Sequence, residues 1–117
     1  MSIHGTFYFT KTKSGNLLGE FINNGLKNFI VESANINEGF CKEKFEAVYI
    51  TNWLEDENAF ASKLIIERDI ENKKMFNLTW LDLKSEKPIF SGIGFKKKKI
   101  LIGKYSDQKN NDRPTAV

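Results

Sequence analysis

The chain has 117 residues, 40% of them hydrophobic and 28% charged, enough for one globular core and too few for a second. Its formal net charge of +3 permits an acidic partner without demanding one. A single cysteine excludes an intrachain disulfide, and no apolar run approaches the ~18 residues that cross a bilayer as a helix.

Met1-Ser2-Ile3-His4-Gly5 lacks the basic-then-apolar order of a signal peptide, so a cytoplasmic, reducing location is expected. With ten Phe among the apolar residues and few alanines, composition leans toward strands, where aromatic and β-branched side chains fit a pleated surface.

In chain order, β-rich runs alternate with short polar turns. Residues 5–12 hold Phe7, Tyr8 and Phe9, and Lys13-Ser14-Gly15-Asn16 reads as a turn. Residues 17–22 form the second run. Asn23-Asn24-Gly25 then predicts a type I′ hairpin, because both central residues of that turn need positive φ. The third run, 27–33, centres on Phe29, Ile30 and Val31. Residues 35–43, with Gly39, Phe40 and Cys41, form the longest interior connection, either a helical turn or a loop folded over one end of the domain.

Residues 44–54 place Phe45, Ala47, Tyr49, Thr51 and Trp53 on one strand face. After the acidic turn Glu55-Asp56-Glu57-Asn58 comes the run 59–68. Its Phe60, Leu64 and Ile65 also suit a helix, but tight turns on both sides favour a strand. Residues 75–83 alternate Phe76, Leu78 and Trp80 with Asn77, Thr79 and Leu81. Residues 88–95 and 100–105 complete eight runs, and Lys96, Lys97, Lys98 and Lys99 join the last two.

Short connections imply sequential antiparallel pairing. Eight twisted strands arranged this way leave two exposed edges unless the sheet closes. The expected fold is therefore all-β: an antiparallel up-and-down barrel or curled meander of about eight strands, with a β-sandwich as the alternative. Residues 1–106 form the domain, and the polar residues 107–117 are expected to be a flexible tail. Gly5-Thr6-Phe7 at the start of the first run resembles the Gly-x-Trp opening of lipocalin-like and related calycin barrels, with Phe in place of Trp. No Arg stands after the last run where lipocalins carry one. The resemblance implies the barrel architecture.

No motif here specifies catalysis, a metal or a cofactor. Ser91-Gly92-Ile93-Gly94-Phe95-Lys96 precedes a hairpin, not the helix that a phosphate loop must open. Its glycines, with Gly103, suit the close approaches of a curled sheet. One His (His4) and one Cys (Cys41) make a zinc site improbable, and no carboxylate constellation accompanies His4. Glu55, Asp56 and Glu57 read as a solvated turn. The four lysines read as a solvated hairpin tip, so nucleic acid is not the expected partner.

Tyr8, Tyr49, Trp53, Trp80 and Tyr105 are the candidate ligand-binding residues, because rings with a polar handle suit the interior of a small barrel. Several runs are apolar on both faces. Val48, Ile50, Leu81, Ile93 and Ile102 are therefore candidates for an interface, with a homodimer the expected arrangement. Three functions follow. The first is a binding module for an apolar or aromatic small ligand. The second is a protein-interaction module, such as an inhibitor or accessory subunit, using its outer face. The third is an enzyme on the same scaffold, for which no acid–base pair stands out.

Overall fold

The structure, a computed structural model, describes residues 2–39 and 44–107. Eight antiparallel strands follow one another around a closed barrel. They are β1 (His4–Lys11), β2 (Leu17–Asn23), β3 (Ile30–Glu38), β4 (Ala47–Glu55), β5 (Asn58–Arg68), β6 (Met75–Leu81), β7 (Pro88–Lys97) and β8 (Ile100–Asp107). β8 returns to pair with β1 from His4↔Ser106 to Thr10↔Ile100, so no sheet edge is left open. This is the eight-stranded up-and-down architecture that the calycin resemblance implies. No helix among the described residues is long and apolar enough to cross a membrane.

Strict alternation sorts the side chains. Phe7 and Phe9 turn inward from β1, Tyr49, Thr51 and Trp53 from β4, and Phe76, Leu78 and Trp80 from β6, all of them buried. An eight-stranded barrel is just wide enough for such side chains to meet at its axis. Gly94 and Gly103 face each other across β7 and β8. A Cβ on Gly94 would stand 3.4 Å from the Phe7 ring and 2.9 Å from the Ile102 carbonyl, so the glycine leaves room for that ring.

The structure corrects the sequence reading at three places. Residues 35–38 belong to β3, which begins three residues later than the predicted run and carries a bulge between Ile36 and Glu38. Asn24-Gly25 does not make a type I′ turn. Residues 24–29 form a wider loop in which Gly25 N–H donates to Asn23 Oδ1 at 2.8 Å and Leu26 N–H to Asn23 O at 3.1 Å. Positive φ falls instead at Gly15, Asp56, Glu86 and Lys98 in the hairpin turns, and at Gly39 after β3. Finally, β8 extends to Asp107, whose carboxylate accepts from Ile3 N–H at 3.1 Å and whose own N–H donates to Ile3 O. Cys41 and residues 108–117, including the tail expected to be flexible, lie outside the described residues.

One end of the barrel is filled. Phe9, Leu17, Leu64, Ile66, Leu78 and Leu101 are buried there, and Phe45 covers them, its ring 6.4 Å from Phe76 in an edge contact. Tyr49 O–H donates to Phe45 O at 2.8 Å and accepts from Lys11 Nζ at 3.0 Å. Burial, with the Glu46 carboxylate nearby, pushes the Tyr49 hydroxyl far above the usual phenol range. Arg68 closes this end, 3.0 Å from Glu46 and 4.9 Å over the Phe76 ring.

Candidate functional site

The opposite end is built from the start of β1, β3 and β7 and the end of β2, β4, β6 and β8. The inward positions there are mostly aromatic. Phe7 meets Trp80 edge-on at 5.8 Å, and Phe21 meets both Trp53 at 6.0 Å and Tyr105 at 6.1 Å. Phe90 meets Tyr105 at 5.6 Å and Trp80 at 6.5 Å, again edge-on. Tilted and edge-to-face arrangements are the ones aromatic pairs prefer, and here the rings enclose a cavity of about 130 Å³ that opens at this end. Ile3 and the 24–29 loop, through Gly25 and Leu26, contribute to its mouth. The loop is tied down by Asn24, which accepts from His4 N–H at 3.0 Å and donates to Ser2 O at 2.9 Å.

The wall also carries a charge. Glu32, in the interior row of β3, lines the cavity and is only 3% exposed. Its position follows from register: Glu32 pairs with Trp53 and Ala34 with Thr51, so Glu32 must point inward whenever Trp53 does. Glu32 Oε2 accepts from Trp80 Nε1 at 3.0 Å and lies 2.5 Å from Thr51 Oγ1. Among the described residues Oε1 has no hydrogen-bond partner.

Burial pushes the Glu32 carboxyl up to about 7, although its hydrogen bonds with Thr51 and Trp80 pull the other way. The Thr51 hydroxyl also lies 3.1 Å from Ser33 O. One hydroxyl hydrogen cannot serve two acceptors, so a protonated Glu32 that donates to Thr51 lets Thr51 donate to Ser33.

The rest of the polar lining is also anchored. Trp53 Nε1 donates to Glu55 Oε2 at 3.0 Å. Asn23 Nδ2 donates to the Tyr105 hydroxyl at 2.9 Å. Burial, with the carboxylates of Glu32 and Glu55 nearby, raises Tyr105 to about 12 against the lowering effect of Asn23. Tyr105 therefore stays a neutral phenol across the physiological range.

Comparison with family models, with curated proteins and with solved structures gives no match to this chain.

Of the five candidate ligand-binding residues, Trp53, Trp80 and Tyr105 share this cavity. Tyr8 does not. It follows inward Phe7 on β1, so it points out of the barrel, where its hydroxyl donates to Glu20 at 2.6 Å. Tyr49 is inward but belongs to the filled end. Glu32, Phe7, Phe21, Phe90 and Asn23 were not singled out from sequence. The available signal was Glu32 itself, an acid two residues from Ile30 and Ala34 on the same face of an otherwise apolar run. Phe29 and Val31, the conspicuous hydrophobes of that run, are 59% and 56% exposed.

The remaining candidates lie elsewhere. Lys96, Lys97, Lys98 and Lys99 are exposed at the filled end, away from the cavity. His4 is exposed on β1. Of the acidic turn, only Glu55 reaches the cavity. The candidate interface residues fall into two groups. Ile93 and Ile102 line an outer groove with Tyr8, Phe29, Met75 and Phe95. Ile50 and Leu81 flank Lys63 in a separate outer row, with Val48 two residues along β4.

Proposed function

We propose that this chain is a ligand-binding module of lipocalin-like kind, which takes a compact apolar or aromatic molecule into the open end of its barrel. The asymmetry of the interior carries this reading. One end is filled and covered, while the other keeps a cavity of about 130 Å³ walled by rings. That is close to the ~150 Å³ that admits benzene in an engineered protein cavity. A few fixed polar groups among apolar walls are what small-molecule sites ordinarily offer. The Gly5-Thr6-Phe7 resemblance to calycins supports the same reading.

Benzyl alcohol is a suitable neutral probe, followed by the indole N–H resonances of Trp53 and Trp80, the two tryptophans of the chain. Saturable shifts of both at millimolar concentration are expected. Unmoved indoles, or shifts confined to outward side chains, would remove the reading.

The outer face supports a second reading, a homodimer. Phe95, Ile102 and Tyr8 form one apolar row across β7, β8 and β1, with Ile93 beside it. Glu20 continues that row beyond Tyr8, and Lys104 lies two residues from Ile102, so a two-fold axis midway between them would bring opposite charges together. Sedimentation equilibrium tests it. A monomer at tens of micromolar that becomes no more soluble on Phe95→Lys excludes it.

A further inference from the structure

We propose that the ligand of the barrel is a small protonated organic amine, its ammonium group hydrogen-bonded to Glu32 Oε1 and its apolar body held between the rings of Phe7, Phe21, Phe90 and Tyr105. The inference deepens the ligand-binding reading and rests on it.

Three independent observations point the same way. First, the chain as a whole is basic, with 18 Lys and Arg against 15 Asp and Glu, yet the described residues lining the cavity include two acids, Glu32 and Glu55, and no Lys, Arg or His. A charge distribution opposite to that of the whole molecule selects cations and repels anions.

Second, the wall is aromatic. The faces of Trp, Tyr and Phe rings attract a desolvated cation, and a cage of such rings is a recurrent way to hold an ammonium group. Third, Glu32 is almost completely buried but uses only Oε2 for its partners Thr51 and Trp80. Its Oε1 is left as an acceptor on the cavity wall.

The same residues fix the orientation. A buried carboxylate without a cation is costly, and Glu32 has no cationic partner among the described residues. An ammonium N–H donating to Oε1 supplies that missing charge. The tryptophan and threonine partners hold the carboxyl in place, so little ordering remains when the ligand arrives. A primary ammonium brings three N–H donors, one of which Oε1 accepts. Glu55 and Tyr105 are the other titratable groups of the cavity. Tyr105 remains neutral, so it is a wall and a hydrogen-bonding rim for the amine and not a counter-ion.

Three benzene derivatives of similar size separate the charge inference from the cavity reading: benzylamine, benzyl alcohol and benzoate, titrated calorimetrically at mildly alkaline pH where Glu32 is ionised. Benzylamine should bind at least about tenfold more tightly than benzyl alcohol. Benzoate should bind worst. Glu32→Gln keeps an acceptor for Trp80 and Thr51 but removes the charge. Measured on that variant, benzylamine and benzyl alcohol should bind alike, with an unaltered far-UV spectrum.

If benzylamine and benzyl alcohol bind equally, or benzoate binds best, the amine inference is wrong although the cavity reading stands. If none of the three binds and the tryptophan indoles do not move, both fall. If only Glu55→Gln removes the preference, the cation is held at the rim and the assignment to Glu32 is overturned.

Discussion

The two ends of this barrel share strands, register and inward alternation, yet one is a core and the other a cavity. At the filled end Leu17, Leu64, Ile66, Leu78 and Leu101 pack with the rings of Phe9, Tyr49 and Phe76, and Phe45 seals them. At the open end they are rings in edge-to-face contact with a carboxyl among them. The filled end packs as protein interiors ordinarily do, whereas the rings that wall the open end leave a cavity of about 130 Å³ between them. On one continuous set of strands, side-chain choice thus decides which end of the barrel keeps a cavity.

That contrast can be broken by mutation. The largest effect should come from the filled end. Phe9 is 1% exposed, and Phe9→Ala should lose about 3–5 kcal/mol in urea unfolding. Phe90→Ala, at the half-buried rim of the cavity, should lose less than half as much. Equal losses would mean that both ends are cores.

Glu32 sharpens the comparison through pH. Its folded value of about 7 lies above the ordinary 4.5, so the native state holds a proton that the unfolded chain releases between those values. The protonated group therefore contributes stability that is fully present below about pH 4.5, fades as pH rises to about 7, and is absent above. Relative to Glu32→Gln, the wild-type protein should lose up to about 3 kcal/mol across that window. Parallel pH profiles for the two proteins would show that Glu32 is solvated like any surface acid.

Gly92 tests how tightly the cage is set. A Cβ there would lie 3.3 Å from the Trp80 ring, 3.2 Å from Tyr105 Cβ and 2.8 Å from Lys104 O. Gly92→Ala should cost about 1–3 kcal/mol and shift the Trp80 indole resonance while leaving filled-end methyl signals in place. Disturbance of both ends alike would mean that they are mechanically one core.

Asn23→Ala removes the donor to Tyr105 and the acceptor for Gly25, and should cost about 1 kcal/mol with the change confined to the cavity mouth. Replacing Lys96, Lys97, Lys98 and Lys99 with Gln should change stability least, within about 0.5 kcal/mol, and leave probe binding unaltered, since these lysines sit at the far end. A loss of probe binding in that variant would connect the two ends.

Much of the architecture was legible because it rests on local rules. The inward phase of β4 and β6 follows from Tyr49–Thr51–Trp53 and Phe76–Leu78–Trp80, where aromatic and apolar residues recur every second position. The β2–β3 connection was not legible. Asn24-Gly25 has the chemistry of a two-residue hairpin, but the Asn23 side chain captures Gly25 N–H and widens the loop, which then reaches the cavity mouth through Leu26. Nor was the phase of β3. Read alone, Phe29 and Val31 belong inside. Pairing of Glu32 with Trp53 turns them out and brings the acid in, because a strand beside a fixed neighbour cannot slip one residue without reversing every side chain on that neighbour's face.

The amino-acid sequence by itself determined the eight strands, their sequential order and closure as the way to remove the edges, since period-two alternation and turn chemistry act over a few residues. Only the tertiary structure decided which aromatic residues meet. Trp53, Trp80 and Tyr105 converge, while Tyr49 goes to the opposite end and Tyr8 to the outside. Those outcomes depend on strand register and on depth along the barrel axis, which are set jointly by all eight strands and are encoded in no single one.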